Sequence, residues 1–178
     1  MQTTTQATPN KGKWSGLNWE WPKRAEMALQ HLGGAKSVVD IGCGKMTLKR
    51  LLPEGVVYQG VDISPRDETT IVVDLNEETL PDLNFDAATA LGVVEYLREP
   101  SAFFQRLQQF DRLVLTYNCY GLKDILKKFG VMSERVPDAW ISRLHKREVT
   151  ELLEANGFTI EAIEYIRFSE YLWYATRK

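Results

Sequence analysis

The stretch that decides the fold runs from residue 37 to residue 62. Residues 37–46 read SVVDIGCGKM, and residues 57–62 read VYQGVD. Each segment is a short apolar run that ends in or near an acid, and a glycine-rich turn and a helical stretch lie between them. Glycine adopts positive φ and lets a ligand approach the backbone, and an acid at the end of the next strand can accept hydrogen bonds from a ribose diol. The pattern predicts a nucleoside-binding crevice at the carboxyl edge of a parallel sheet.

The rest of the sequence continues this alternation of strands and helices. Helices are predicted over residues 22–32, 47–52, 100–110, 122–129 and about 145–155, and strands over residues 38–41, 56–63, 70–74, 85–91, 112–116, 158–165 and 168–176. Strands that alternate with helices indicate an α/β fold with a mostly parallel sheet covered on both faces. The last two strands have only residues 166–167 between them, which predicts an antiparallel pair at the edge of the sheet.

The chain length favours a single domain. Residues 1–13 are polar and are predicted to be a disordered tail, so that residues 14–178 form the domain.

The 22 basic and 24 acidic residues give a net charge of −2, which argues against a strongly basic nucleic-acid surface. No apolar run is long enough to cross a bilayer, and the first residues lack the apolar core of a signal peptide. Two cysteines make neither a disulfide framework nor a metal cluster. A cytoplasmic protein without a metal is expected.

The motifs resemble those of the class I S-adenosylmethionine (SAM)-dependent methyltransferases, over about residues 25–178. The matching segments are the family's first three motifs at residues 39–44, 60–64 and 72–75, the fourth-strand segment at 85–97, and the late helix before the final hairpin at 145–158. The compact single-domain branch with methionine-biosynthesis-type and methyltransferase domain 11-like proteins is the most similar. The resemblance implies a Rossmann-like, seven-stranded, mostly parallel sheet with an antiparallel last strand, and SAM as cofactor.

The resemblance also implies a cofactor site. Asp62 is expected to accept hydrogen bonds from the ribose hydroxyls, Asp74 and Leu75 to flank the adenine, and the segment from Leu91 to Glu95 to face the methionine portion. The full set of expected cofactor-binding residues is Asp40, Gly42, Gly44, Asp62, Ile63, Asp74, Leu75 and Leu91.

The residues that would meet the methyl acceptor are less clearly marked. Glu95 and Tyr96 follow the fourth strand, so they either lie near the transferred methyl group or form an ordinary helix start with a packed tyrosine. The acceptor is expected to contact Tyr117, Asn118, Tyr120 and Trp140, together with an N-terminal segment that carries Trp14, Trp19 and Trp21. The same aromatic side chains could instead cover the core.

Two departures from the family pattern leave alternatives open. Met46 stands where the first motif usually has a third glycine, and Tyr96 stands where a histidine often follows Glu95. The sequence therefore predicts either a methyltransferase that acts on oxygen or nitrogen of a small or medium-sized metabolite, or an inactive binding or regulatory protein with the same fold. A nicotinamide oxidoreductase is disfavoured, because its glycine motif would require glycine at Thr47. The oligomeric state is left open.

Overall fold

The strands of the described residues form one seven-stranded sheet. The computed structural model describes residues 22–121 and 140–178. The strands are β1 (Ser37–Ile41), β2 (Val57–Asp62), β3 (Ile71–Val72), β4 (Ala87–Leu91), β5 (Arg112–Asn118), β6 (Phe158–Arg167) and β7 (Glu170–Arg177). The helices are α1 (Pro22–Gln30), α2 (Thr47–Leu51), α3 (Pro100–Leu107) and α4 (Lys146–Ala155), with a 3₁₀ turn at Val94–Tyr96.

The strand order is β3–β2–β1–β4–β5–β7–β6. The pairs among β1 to β5 are parallel, and β7 runs antiparallel to both β5 and β6. The predicted architecture is therefore confirmed. Parallel strands end at one edge of a sheet, so the ends of β1, β2 and β4 bring Asp40, Asp62 and Leu91 to the same edge.

Apolar side chains pack on both faces of the sheet. Ala25, Ala28 and Leu32, on and just after α1, share one buried cluster with Val38 of β1. The neighbouring Val39 belongs to the other cluster, together with side chains from α3 and α4. Successive side chains of a strand point to opposite faces, so β1 contributes to both halves of the core. Within the described ranges, every helix is too short or too polar to span a bilayer.

Several predicted boundaries differ from the observed ones. The helices α1 and α3 end at Gln30 and Leu107 and not at residues 32 and 110, β4 begins at Ala87 and not at 85, and β5 ends at Asn118 and not at 116. Two further differences have a clear physical cause. The third strand ends at Val72 and not at residue 74, because the chain turns at Asp74, whose carbonyl oxygen accepts the amides of Glu77 and Glu78. The final hairpin turns at residues 168–169 and not at 166–167, because Arg167 still pairs with Glu170. The predicted tail, the tryptophans at positions 14, 19 and 21, and the predicted helix over residues 122–129 lie outside the described residues.

Candidate functional site

A cavity of about 230 Å³ opens at the edge of the sheet where β1, β2 and β4 end. It is lined by all eight residues that the sequence predicted for the cofactor, namely Asp40, Gly42, Gly44, Asp62, Ile63, Asp74, Leu75 and Leu91. Sequence reasoning missed several other lining residues, among them Arg24, Arg66, Asn76 and Ile141. The predicted residues thus converge on one place, and their contacts with a ligand remain a prediction.

The turn after β1 contains three residues with left-handed backbone. Gly42, Gly44 and Met46 have φ of 70°, 50° and 55°. A Cβ on Gly42 would overlap the side chain of Val93, so glycine is required there for packing as well as for its φ. A Cβ on Gly44 would meet nothing closer than the carbonyl oxygen of Gly42, at 3.9 Å. The missing side chain of Gly44 therefore leaves the backbone of the turn open to the cavity.

Met46, at the position of the family's third glycine, has a left-handed backbone with φ of 55°. The left-handed region costs a residue with a Cβ roughly 1–2 kcal/mol. The Met46 methyl group lies 3.1 Å from the position that a Cβ on Gly60 would take, and the sulfur of Cys43 lies 2.9 Å from the same position. The bare α-carbon of Gly60 thus makes room for both side chains. Met46 packs against β2 and is not among the residues that line the cavity.

Asp62 is a buried carboxylate that closes the turn from the side of β2. It is 6% exposed. The amide of Gly44 donates to Oδ2 at 2.8 Å, and the amide of Ser64 donates to Oδ1 at 3.0 Å. Arg66 forms an ion pair with Oδ1 at 2.9 Å through Nη2. Asp62 therefore ties the glycine turn to the end of β2.

Asp40 is also buried, but its partners are hydroxyl groups. Thr89 Oγ1 donates to Oδ1 at 2.7 Å, and the Tyr58 hydroxyl donates to Oδ2 at 2.9 Å. Burial raises the pKa of Asp40 from 3.8 to about 6. The two hydrogen bonds act against this increase, and the nearby charge of Asp62 adds to it. Burial and the charge of Asp40 in turn raise the pKa of Tyr58. The oxygens of Asp40 are thus engaged by the neighbouring strands.

Asn76 joins the third-motif turn to the 3₁₀ turn after β4. Its amide donates to Asp74 Oδ1 at 3.1 Å, and its Nδ2 donates to the carbonyl oxygen of Tyr96 at 3.0 Å. Its Oδ1 accepts the amide of Arg98 at 2.9 Å. These three bonds fix Leu75 and Tyr96 on neighbouring walls of the cavity, although no local pattern in the sequence marks Asn76.

Tyr96 lines the cavity, whereas Glu95 is not among its lining residues. Glu95 Oε1 accepts two hydrogen bonds from Asn118, at 3.0 Å and 3.2 Å, and Oε2 has no hydrogen-bond partner among the described residues. Burial raises the pKa of Glu95, against the lowering effect of the Arg24 charge. Burial and the charge of Glu95 raise the pKa of Tyr96 to about 12. The Tyr96 hydroxyl accepts from Trp140 Nε1 at 3.3 Å.

The side chains expected around the acceptor are divided between the core and the cavity. Tyr117 is fully buried, and its hydroxyl accepts the amide of Leu144 at 2.8 Å. Asn118 is held by Glu95, and the ring of Tyr120 packs edge-on against His145 with centroids 5.6 Å apart. None of these three lines the cavity formed by the described residues, and their contact with an acceptor stays a prediction. Trp140 alone reaches a lining side chain, that of Tyr96.

Arg24 brings α1 to the cavity. Its guanidinium lies over Gly92, where a Cβ would overlap it. It also forms an ion pair with the fully buried Glu170 of β7, which accepts a second hydrogen bond from Arg167 Nε at 3.0 Å. Arg24 and Glu170 are 146 residues apart in the chain, so no local signal predicts the pair. In the described part of the chain, no group of three or more metal-ligating side chains is arranged to hold a metal ion.

Comparison with known proteins agrees with this geometry. The profile of the methyltransferase domain family matches residues 20–163. The chain belongs to the methyltransferase domain family. The predicted resemblance to class I SAM-dependent methyltransferases is therefore confirmed. A comparison with curated proteins returns no match.

Solved structures of methyltransferases share the fold. The magnesium protoporphyrin IX methyltransferase of Synechocystis PCC 6803 with bound S-adenosylhomocysteine (SAH) is 22% identical, with a TM-score of 0.70 over 88% of this chain and 83% of that chain. A SAM-dependent methyltransferase from Archaeoglobus fulgidus is 17% identical, with a TM-score of 0.67 over 88% and 92% of the two chains. The small RNA methyltransferase HEN1 is 19% identical, with a TM-score of 0.68 over 100% of this chain and 27% of that one. The acceptors named for these proteins are diverse, so the shared fold does not identify an acceptor for this methyltransferase.

Proposed function

We propose that the protein binds SAM in the cavity at the carboxyl edge of the sheet and transfers its methyl group to an oxygen or nitrogen of a small or medium-sized metabolite. The observation that carries the proposal is the convergence of all eight predicted cofactor residues on this one cavity. Solved methyltransferases of the same fold contain SAM or SAH.

The residues present fit an adenosyl ligand. The open backbone at Gly44 accommodates a ligand that approaches the turn. The carboxylate of Asp62 stands at the end of the next strand, where a ribose diol is recognised in dinucleotide-binding α/β folds. Ile63 and Leu75 supply apolar lining for a base.

When bound, SAM supplies a methyl group that its sulfonium has already activated. The protein's own contribution is therefore alignment of the acceptor and exclusion of water. Tyr96 and Ile141 line the cavity beside the end of β4 and are the side chains proposed to exclude water there. With a pKa of about 12, Tyr96 keeps its hydroxyl proton near neutral pH and is suited to donate a hydrogen bond. Neither Tyr96 nor Glu95 is assigned as a base.

A metabolite acceptor is favoured over a nucleic acid by the overall charge of −2, because nucleic-acid affinity depends on many contacts from basic residues to phosphates. Met46 at the position of a usual glycine is one argument for the inactive alternative. Since the Met46 side chain packs against β2, it gives no steric reason to exclude the cofactor. Methyl-labelled SAM incubated with a small-molecule extract distinguishes the two: label in a small-molecule product supports transfer, and label that remains only in SAM supports the inactive protein.

Two glycines allow a matched test of the cavity. Gly44 and Gly55 both have positive φ, at 50° and 88°, and a Cβ on either residue meets no protein atom closer than 3.9 Å. Gly44 lines the cavity, whereas Gly55 lies outside it. Both alanine variants should lose roughly 1–2 kcal/mol of stability. Calorimetric titration with SAH should detect weaker binding only in Gly44→Ala. Equal affinities in the two variants would place the ligand elsewhere.

A further inference from the structure

The hydrogen-bonding capacity of Asp62 is almost fully used by the protein itself. An ionised carboxylate offers about four acceptor positions on its two oxygens. Oδ1 accepts from the Ser64 amide and from Arg66 Nη2, and Oδ2 accepts from the Gly44 amide. About one position is therefore left, on Oδ2. A ribose diol that donates both of its hydroxyls needs two.

The three donors differ in their freedom to move. The Gly44 amide belongs to the turn after β1, and the Ser64 amide follows Asp62 by two residues, so both are fixed by the main chain. The Arg66 donor is a side chain, and rotation about its own bonds removes it without any change in the backbone. Arg66 also lines the cavity, and its side chain is 14% exposed. It is the donor that a ligand can displace.

We infer that Arg66 competes with the ribose of the cofactor for Asp62 and thereby sets the affinity of the site. The inference rests on the proposed function, because it takes the adenosyl group as the ligand of this cavity. In the structure Arg66 Nη2 holds Oδ1 at 2.9 Å. Entry of the ribose diol requires the guanidinium to move from Oδ1, so that one hydroxyl bonds to each carboxylate oxygen.

The competition weakens binding and therefore raises the dissociation constant of the cofactor. Hydrogen bonds between charged partners are stronger than those between neutral groups, so an ion pair is exchanged for a hydrogen bond from a neutral hydroxyl. A ligand that binds only the conformers with a free Oδ1 has an apparent affinity reduced by the fraction of such conformers. Removal of the guanidinium should therefore tighten binding. The expected gain is about three- to tenfold in Kd, an order-of-magnitude figure for the loss of a partly exposed ion pair.

The test is calorimetric titration of the full chain with SAH. Arg66→Ala should bind SAH about three- to tenfold more tightly than wild type, and Arg66→Gln, which keeps a neutral donor, should lie between the two. Arg147→Ala is the control, because Arg147 on α4 is 87% exposed and, among the described residues, pairs with Glu151 in the same helix. Its affinity should equal that of wild type. The melting temperature of each ligand-free variant verifies that it is folded.

A double-mutant cycle shows whether the effect passes through Asp62. In the Asp62→Ala background the added Arg66→Ala change should leave the Kd for SAH unaltered. Equal or weaker binding by Arg66→Ala in an otherwise wild-type chain would overturn the competition and leave the proposed function standing. A gain that persists in the Asp62→Ala background would overturn it too. Absence of SAH binding in every variant would overturn both the competition and the proposed function.

Discussion

Asp40 and Asp62 occupy equivalent places on neighbouring strands and differ in what surrounds them. Both lie near the carboxyl ends of parallel strands, both line the same cavity, and they are 3% and 6% exposed. Asp40 is held by two hydroxyl groups from β2 and β4. Asp62 is held by two main-chain amides and a guanidinium. Asp40 and Asp62 are thus similarly buried, but uncharged hydroxyls surround the first, whereas amides and a charged guanidinium surround the second.

Under the proposed function, this difference separates a supporting carboxyl, Asp40, from one that binds the ribose, Asp62. Hydroxyl partners carry no charge, so burial dominates and raises the pKa of Asp40 to about 6. Both of its oxygens are directed to the strands on either side, which favours an indirect contribution to ligand binding. Asp62 combines fixed amides with one side chain that can rotate away, an arrangement suited to an exchange of partners. Position at a strand end alone does not assign these roles.

The largest expected effect is that of Asp40→Asn on the pH dependence of stability. The native pKa of Asp40 is about 6 against an ordinary value of 3.8, so the native state retains a proton that the unfolded chain releases in this range. The contribution of Asp40 to the free energy of unfolding therefore falls as pH rises from about 4 to about 6, by on the order of 3 kcal/mol. Asparagine does not titrate, so this decrease in the free energy of unfolding is absent from Asp40→Asn.

Urea unfolding of both proteins from pH 4 to pH 7 measures the effect. The stability of Asp40→Asn relative to wild type should increase with pH, and its SAH affinity near pH 8 should remain close to that of wild type. Parallel pH profiles for the two proteins would show that Asp40 is ionised in the native state as easily as in the unfolded chain, and the contrast with Asp62 would disappear.

Asp62→Ala should have the next largest effect, and on binding. Loss of hydrogen bonds to a charged acceptor should weaken the affinity for SAH by on the order of ten- to a hundredfold. Calorimetry measures it, with Glu161→Ala as the control, because Glu161 is an exposed acid on β6 whose partner is Thr176. A folded Asp62→Ala protein with wild-type affinity would remove Asp62 from the site.

Met46→Gly, in the turn between Asp40 and Asp62, is expected to have the smallest effect on stability and on SAH binding. Met46→Gly relieves a left-handed backbone that costs roughly 1–2 kcal/mol, but it also removes the contact of the methionine with the α-carbon of Gly60. The two terms oppose each other, so the free energy of unfolding should change by no more than about 1 kcal/mol. The Kd for SAH should not change. A clear change in Kd would mean that the side chain at position 46 reaches the ligand.

The fold and the position of the site followed from local patterns. Strand-ending acids, glycines of positive φ and the alternation of strands with helices each depend on neighbouring residues. The residues that they mark, from Asp40 to Leu91, line one cavity, and their contacts with a ligand stay a prediction. Boundaries were less accurate where a turn competed with a strand, as at Asp74. Arg66 has a local signal, since Ser64, Pro65 and Arg66 follow Asp62 in a tight loop.

The remaining features depend on residues far apart in the chain. Thr89 faces Asp40 because β1 and β4 are neighbours in register, and Arg24 meets Glu170 across 146 residues. Tyr117 was predicted to follow the fifth strand, but it lies within β5, and the segment at Ser142 and Leu144 hydrogen-bonds to its buried hydroxyl. Such pairings carry no periodicity and no motif. Three-dimensional packing decides them, which is why the sequence alone leaves the surroundings of the acceptor open.

The ion pair between Arg24 and Glu170 has a consequence for biosynthesis. Arg24 lines the cavity from α1, yet its partner lies on β7, the last strand of the chain. At a translation rate of about 5–20 residues per second, Glu170 is made on the order of 10 s after Arg24. Until the final hairpin has left the ribosome, this wall of the cavity lacks the ion pair with Glu170. A nascent chain that already contains every glycine and acid of the motifs therefore still lacks the complete pocket.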